Sequence, residues 1–253
     1  MQFLFTEDEV YHNTRIKEYP TYNEVTHCNR KIFRSPGYEE LSKKKHCATD
    51  VAANSERSRL ESIRRAKRNI YDIAMCSGFT HFVTLTLNKE VIDRYDYDSV
   101  MKKFRAWLSN SVERRGLSYV LIPEFHKDKA IHFHGFFKSA GDMKYIDSGK
   151  RTKQKQKIYN IGSYKFGFTT AIEICGNYEK MVRYVCKYIT KSSEKIGGRW
   201  YLSGGDIEKP KVILTDSDFD EHDCKAYNVP NVNVSFKYRR IEKGSSLTKC
   251  DIP

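Results

Sequence analysis

In the stretch PEFHKDKAIHFHGFF (Pro123–Phe137), His132 and His134 stand two residues apart, with Glu124 eight residues before the first of them. In a strand, residues two apart project from the same face. Residues directly opposite each other in an antiparallel pair also share a face, so the hairpin loop decides where Glu124 goes. A three-residue loop, Lys127-Asp128-Lys129, sets His126 against Ala130 and Glu124 against His132 and so gathers three ligands on one side. A two-residue loop turns Glu124 to the other side. Taken alone, an H-x-H beside a carboxylate also describes the wet face of an ordinary sheet. Two imidazoles and one carboxylate leave coordination positions open, which a catalytic metal site requires. Imidazole suits zinc, iron or manganese, while a carboxylate acting with a phosphate substrate suits magnesium or manganese, so the expected ion is Mg²⁺ or Mn²⁺.

A second set of reactive groups lies downstream in RYVCKYITK, where Tyr184 and Tyr188 are four apart and each is followed three residues later by a lysine, Lys187 and Lys191. On one helix, Lys180, Tyr184, Lys187, Tyr188 and Lys191 fall within an arc of roughly 100°, and Met181, Val182, Val185, Cys186 and Ile189 fill the adjoining arc. A phenol, with a reference pKa of about 10, is a poor nucleophile at neutral pH unless positive charge or a metal favours the phenolate. Lysines one turn away supply part of that field. Tyrosines also pair at helical spacing as plain boundary residues in a chain that holds 17 of them.

Lys and Arg outnumber Asp and Glu by 45 to 32, a net charge of +13 that favours a polyanionic partner such as nucleic acid. The basic clusters fall at Lys43–Lys45, at RRAKR, with Arg64, Arg65, Lys67 and Arg68, and at KRTKQKQK, with Lys153, Lys155 and Lys157. Seven scattered cysteines with no C-x-x-C pair point to reduced thiols rather than a disulfide framework. The dipeptides His27-Cys28 and His46-Cys47 lack the tight ligand spacing of structural zinc sites. No apolar run is long enough to span a membrane, and the acidic start MQFLFTEDEV does not read as a signal peptide, so a cytoplasmic location is expected.

The elements that must position these groups follow from periodicity. Leu60, Ile63, Ile70, Ile73 and Ala74 recur at helical spacing among Arg and Lys, predicting a basic amphipathic helix from Ser55 to Cys76 that Gly78 ends. FTHFVTLTL reads as a central strand, and YDSVMKKFRAWLSNSVERRG as a helix closed by Gly116. SYVLIPEF and IHFHGFF form two strands, IYNIGSYKFGFTTAIEI resumes strand character, and a last helix runs from Asn177 to about Ser193. RWYLS is a possible further strand. Residues 1–54 and 205–253 show no sustained period and are read as an extension and a tail of uncertain order around a domain at 55–204. The order of elements is that of an α+β fold with a mainly antiparallel sheet and helices on one face, compatible with a split βαβ arrangement.

Three motifs in order, FVTLTL (Phe82–Leu87), HFH (His132–His134) and YVCKYITK (Tyr184–Lys191), resemble those of rolling-circle replication initiators of bacteriophages and plasmids, within the HUH endonuclease superfamily. The resemblance covers roughly Ser55–Arg199. It implies that the first motif is a core strand beside the active site, that His132, His134 and Glu124 bind the metal, and that Tyr184, Tyr188 or both attack DNA. Similar chains often carry Gly in the hairpin loop where this one has Lys129. The implied function is metal-dependent nicking and rejoining of origin DNA through a 5′-phosphotyrosine. Because no G-x-x-x-x-G-K-[ST] sequence is present, host helicase and polymerase are the implied partners, in the cytoplasm of a bacterial host. A plasmid-mobilisation relaxase or transposase would share the chemistry. A non-catalytic module that binds single-stranded nucleic acid would share only the charge.

Overall fold

A computed structural model describes residues 10–35, 51–125, 128–141, 143–191, 195–196, 198–218, 224–230 and 232–243, with the side chains of 51–55, 190 and 191 set aside. In chain order the elements are β1 (Tyr11–His12), β2 (Thr14–Glu18), β3 (Tyr22–Cys28), β4 (Phe33–Arg34), α1 (Val51–Ser77), β5 (His81–Leu87), α2 (Tyr97–Arg115), β6 (Leu117–Phe125) and β7 (Ile131–Ser139). There follow β8 (Tyr145–Arg151), β9 (Lys157–Ile161), β10 (Gly167–Glu173), α3 (Tyr178–Cys186), α4 (Tyr188–Lys191), β11 (Leu202–Gly204), β12 (Lys211–Thr215), β13 (Lys225–Asn228) and β14 (Ser235–Glu242). The chain divides into two compact units, Thr49–Lys209 and a second made from Met1–Ala48 with Pro210–Pro253.

In the larger unit a seven-stranded sheet has the order β11-β6-β7-β5-β10-β9-β8, with antiparallel pairing throughout. Strands β5 and β6 are joined through α2, and both run antiparallel to β7, which lies between them. That is the split βαβ unit. The ends of the two long helices follow ordinary capping chemistry. Gly78 and Gly116 take positive φ values of 60° and 58° just past α1 and α2, which costs glycine nothing sterically, and the Asp96 side chain accepts from the Ser99 N–H at 3.1 Å to cap α2.

The helices cover both faces of the sheet rather than one. Val100, Met101, Phe104 and Leu108 of α2 pack with Val83, Leu85, Phe133 and Leu121, whereas Ile63, Ile70 and Ile73 of α1 and Val182 and Val185 of α3 pack with Val120, Ile122 and Phe136. The reason is written in β6. Val120, Leu121 and Ile122 are consecutive and all fully buried, and a strand with an unbroken apolar run must be covered on both sides.

One backbone approach fixes how β6 and β7 meet. A methyl group added at Gly135, the residue after the H-x-H, would overlap the Val120 carbonyl oxygen and crowd the Leu121 backbone. Gly135→Ala is therefore expected to destabilise the unit by at least about 3 kcal/mol, read as a lower urea midpoint or loss of folded protein. An unchanged midpoint would contradict the approach.

The terminal stretches, which carry no sustained period, form strands of the second unit. Its five-stranded sheet has the order β12-β2-β3-β14-β13, so strands from the two ends of the chain alternate, and β1 pairs separately with β4. Tyr19 and Tyr22 stack at 4.5 Å between ring centroids and are almost fully buried. His27 makes a 2.9 Å hydrogen bond with Thr14, and Cys28 is buried as a free thiol; His46 and Cys47 lie outside the described residues. The other described cysteines are free as well. Among the described residues no helix is long and apolar enough to cross a membrane.

Candidate active site

The β6–β7 register pairs Phe125 with Ile131 and Glu124 with His132, the spacing that a three-residue loop gives. His126 and Lys127 lie outside the described residues, but Lys129 is described and has φ 64°, the left-handed conformation a glycine would take in such a loop. The Asp128 carboxylate receives the Ala130 N–H at 3.1 Å and pairs with Arg94 at 2.7 Å, and the Tyr97 hydroxyl donates to the Lys129 carbonyl at 3.2 Å. Side chains thus supply the restraint that holds Lys129 in this conformation.

Glu124, His132 and His134 share one face of the sheet. His134 Nε2 lies 3.1 Å from Glu124 Oε2. On the other side of β7, Thr84 Oγ1 meets His134 Nδ1 at 3.1 Å and Thr86 Oγ1 meets His132 Nδ1 at 3.4 Å. These threonines alternate in FVTLTL with Val83 and Leu85, which are buried on the opposite face. Their hydroxyls engage the Nδ1 atoms, an outer contact of the kind that orients imidazoles whose Nε2 atoms bind a cation. The sequence offered their signal as polar parity within a β-branched strand.

The donor set of two imidazoles and one carboxylate, backed by hydroxyls, suits a divalent cation in its chemistry and its common face. The side chains are not drawn together as ligands: the His132 and His134 rings are 6.4 Å apart, and among the described residues no group of three His, Cys, Asp or Glu is gathered closely enough to hold a metal ion.

The tyrosine segment is two helices, with α3 ending at Cys186 and α4 starting at Tyr188. At the join the Lys187 N–H donates to the Tyr184 carbonyl at 3.1 Å, three residues back, which tightens the turn. This separates the two phenols. Tyr188 moves into the buried arc with Val185 and Ile189, 8% exposed, and its ring stacks on His134 with centroids 4.2 Å apart. Tyr184 stays 49% exposed. The two hydroxyl oxygens nevertheless meet at 2.7 Å, and Tyr184 presents its edge to Phe82 of β5. Burial first, then the hydrogen bond and charge of Tyr184 and the charge of Glu124, push the Tyr188 hydroxyl well above the ordinary phenol range. It is a neutral hydroxyl at physiological pH.

Tyr178, which sequence reasoning did not single out, anchors this segment. Its hydroxyl donates to the Ala74 carbonyl of α1 at 2.7 Å and accepts the Phe79 N–H at 3.1 Å, tying the start of α3 to the end of α1 and the approach to β5. The Asn177 side chain caps α3 by accepting from the Lys180 N–H at 2.8 Å. Of the two lysines, Lys187 is exposed at the helix join, and the Lys191 side chain lies outside the described residues.

The basic residues read as DNA contacts fall in two places. Arg64, Arg65 and Arg68 are exposed on α1 and Lys67 is half-buried there; Arg68 lies 3.8 Å from Asp72. Lys153, Lys155 and Lys157 are exposed at the turn between β8 and β9.

Residues 80–193 match a family of replication-associated proteins of the ORF2 type. No curated protein and no solved structure gives a significant match. The matched segment begins just before β5 and ends just past α4, so it contains the three motifs, Glu124 and both tyrosines. It supports the resemblance to rolling-circle replication initiators and a role in the initiation of DNA replication. The antiparallel α+β architecture of this replication-associated segment fits an HUH-like split βαβ fold.

Proposed function

We propose that the protein starts rolling-circle replication by nicking one strand of origin DNA and later rejoining it, through a covalent bond between tyrosine and the 5′ phosphate. One observation carries this reading: on a single sheet face the contact of Glu124 with His134 lies beside the Tyr184–Tyr188 hydroxyl pair, with the Tyr188 ring stacked on His134. Candidate cation ligands and a candidate nucleophile therefore adjoin.

When bound by Glu124, His132 and His134, Mg²⁺ or Mn²⁺ supplies Lewis-acid polarisation of the scissile phosphate. Thr84 and Thr86 hold the two imidazoles in orientation. The Tyr184 oxygen, the more exposed of the two, attacks phosphorus in line; its proton passes to solvent, the bond from phosphorus to the 3′ oxygen breaks, and that oxygen leaves as a free 3′-OH after taking a proton from water. Tyr188, held neutral, donates its hydroxyl to the Tyr184 oxygen as negative charge develops there. Lys187 and Lys191 add positive charge beside the phosphate. The phosphotyrosine bond keeps the energy of the phosphodiester, so attack by a 3′-OH rejoins the strand, and a second tyrosine permits cutting of the new junction while the first is still joined to DNA. Arg64, Arg65, Lys67, Arg68, Lys153, Lys155 and Lys157 contact backbone phosphates, which makes binding strongly dependent on salt. Host helicase and polymerase supply unwinding and synthesis in the cytoplasm of a bacterial host.

The test is incubation with Mn²⁺ or Mg²⁺ and single-stranded origin DNA, followed by a denaturing gel. The expected result is a covalent protein–DNA species; its absence with every origin-bearing strand would overturn the proposal.

A further inference from the structure

The sheet face that carries the histidines continues beyond them. Phe168 of β10 pairs with Thr86, Thr86 with His132, and His132 with Glu124, so the four stand in one row across four strands. The next row on that face runs Thr170, Thr84, His134, Ile122, and the one after it Ile172, Phe82, Phe136, Val120. In β9, Tyr159 pairs with Ala171 on the opposite, core-facing side, which leaves Ile158 and Asn160 on the histidine side; Ile146 of β8 pairs with Asn160.

The two halves of this face differ in cover. Over β6 and β7, the helices α1, α3 and α4 bury Val120, Ile122 and Phe136. Over β10, β9 and β8, Phe168 is 68% exposed, Ile146 is 54% exposed, and Thr170 and Asn160 are exposed as well. A single exposed phenylalanine needs no explanation by itself. This one stands upright on a strand, two strands from His132, at about 4.8 Å per strand. The same open strip ends in the β8–β9 turn, where Lys150, Lys153, Lys155 and Lys157 are exposed while Arg151 pairs with Asp147 at 3.0 Å. Lys165 is exposed on the approach to Phe168. Apolar, flat and hydrogen-bonding side chains flanked by lysines match one polymer: single-stranded nucleic acid, whose bases offer π faces and whose phosphates seek cations. A duplex hides those base faces.

We propose that the open face of β10, β9 and β8 is the track along which the single strand lies beside the reacting phosphate, and that Phe168 stacks on one of its bases. The proposal rests on the nickase reading and names how the same site holds its DNA. Phe168 is a positioning residue: it sets the strand so that the phosphate next to the stacked base falls over the histidine row. Phe168→Ala removes a ring that is mostly in water, so the fold is expected to survive.

The experiment measures affinity for a labelled oligothymidylate in EDTA, where nicking is off, using the full chain. Phe168→Ala is expected to weaken Kd by about 5- to 150-fold, with Phe168→Trp restoring it and thermal melting unchanged. An oligothymidylate carrying one abasic position, moved along the strand, is expected to bind the wild type less well at one or two placements and Phe168→Ala equally at all. Equal affinities of the wild type and Phe168→Ala, or an abasic effect that persists in Phe168→Ala, would overturn the proposal. Because the readout is binding without metal, a protein that forms no covalent adduct yet depends on Phe168 removes only the nickase reading. A protein that forms the adduct and ignores Phe168 removes only this one.

Discussion

Tyr184→Phe is expected to abolish the covalent adduct, lowering its single-turnover rate of formation by at least about 1000-fold, whereas Tyr188→Phe keeps the adduct and forms it more slowly. The asymmetry comes from the turn at Lys187. At 49% exposure the Tyr184 phenol can meet a polymeric phosphate, while Tyr188, 8% exposed and stacked on His134, offers that partner little surface. Tyr188 instead lends its hydroxyl, 2.7 Å from that of Tyr184, to the developing phenolate. A hydrogen bond to a charged group is worth about 1.5–3 kcal/mol, so its loss slows the step by about ten- to a hundredfold. Labelled-strand gels over time distinguish the outcomes. Loss of the adduct in Tyr188→Phe alone would assign the first attack to the buried phenol.

His134→Ala is expected to reduce nicking by on the order of 100-fold or more, since Lewis-acid polarisation supplies several kcal/mol. It removes three things at once: the imidazole beside Glu124, the partner of Thr84, and the surface on which Tyr188 stacks. EDTA is expected to stop nicking by the wild type to a similar extent while leaving single-strand affinity in place, because the lysines and exposed aromatics that bind DNA are separate from the metal ligands. The two measurements separate an enzyme from a simple binding module, for which neither change alters anything but background. Thr84→Val, which keeps the shape and drops the hydroxyl, tests whether imidazole orientation matters; Thr84→Ser restores the contact.

Much of the site was legible along the chain because its determinants are local. A spacing of two puts His132 and His134 on one face in any strand, and a three-residue loop places Glu124 opposite His132; both hold in the β6–β7 pairing. Helix ends at Gly78 and Gly116 follow from glycine's freedom at positive φ, which no distant contact needs to supply. The covering of both sheet faces was latent in the unbroken run Val120, Leu121, Ile122, yet the expectation of helices on one face came from element order, which does not say which side a helix takes.

Other features depend on residues far apart in sequence. The strands of the second unit interleave the two ends of the chain, β12 beside β2 and β14 beside β3, and no local period encodes a pairing across some two hundred residues. A uniform helical period made Tyr184 and Tyr188 alike; packing of Val185 and Ile189 against β6, and a tightened turn at Lys187, made one phenol buried and the other open. The parts of Thr84, Thr86 and Phe168 emerged only when β7 and β10 took their places on either side of β5, aligning them with the histidines. Residue order alone dictates which chemical groups are present and which face each takes within its own strand, because side-chain parity is a property of the local backbone. Which of those faces meet, and which phenol reaches solvent, follows from strand order and core packing, whose energies come from contacts that local spacing does not contain.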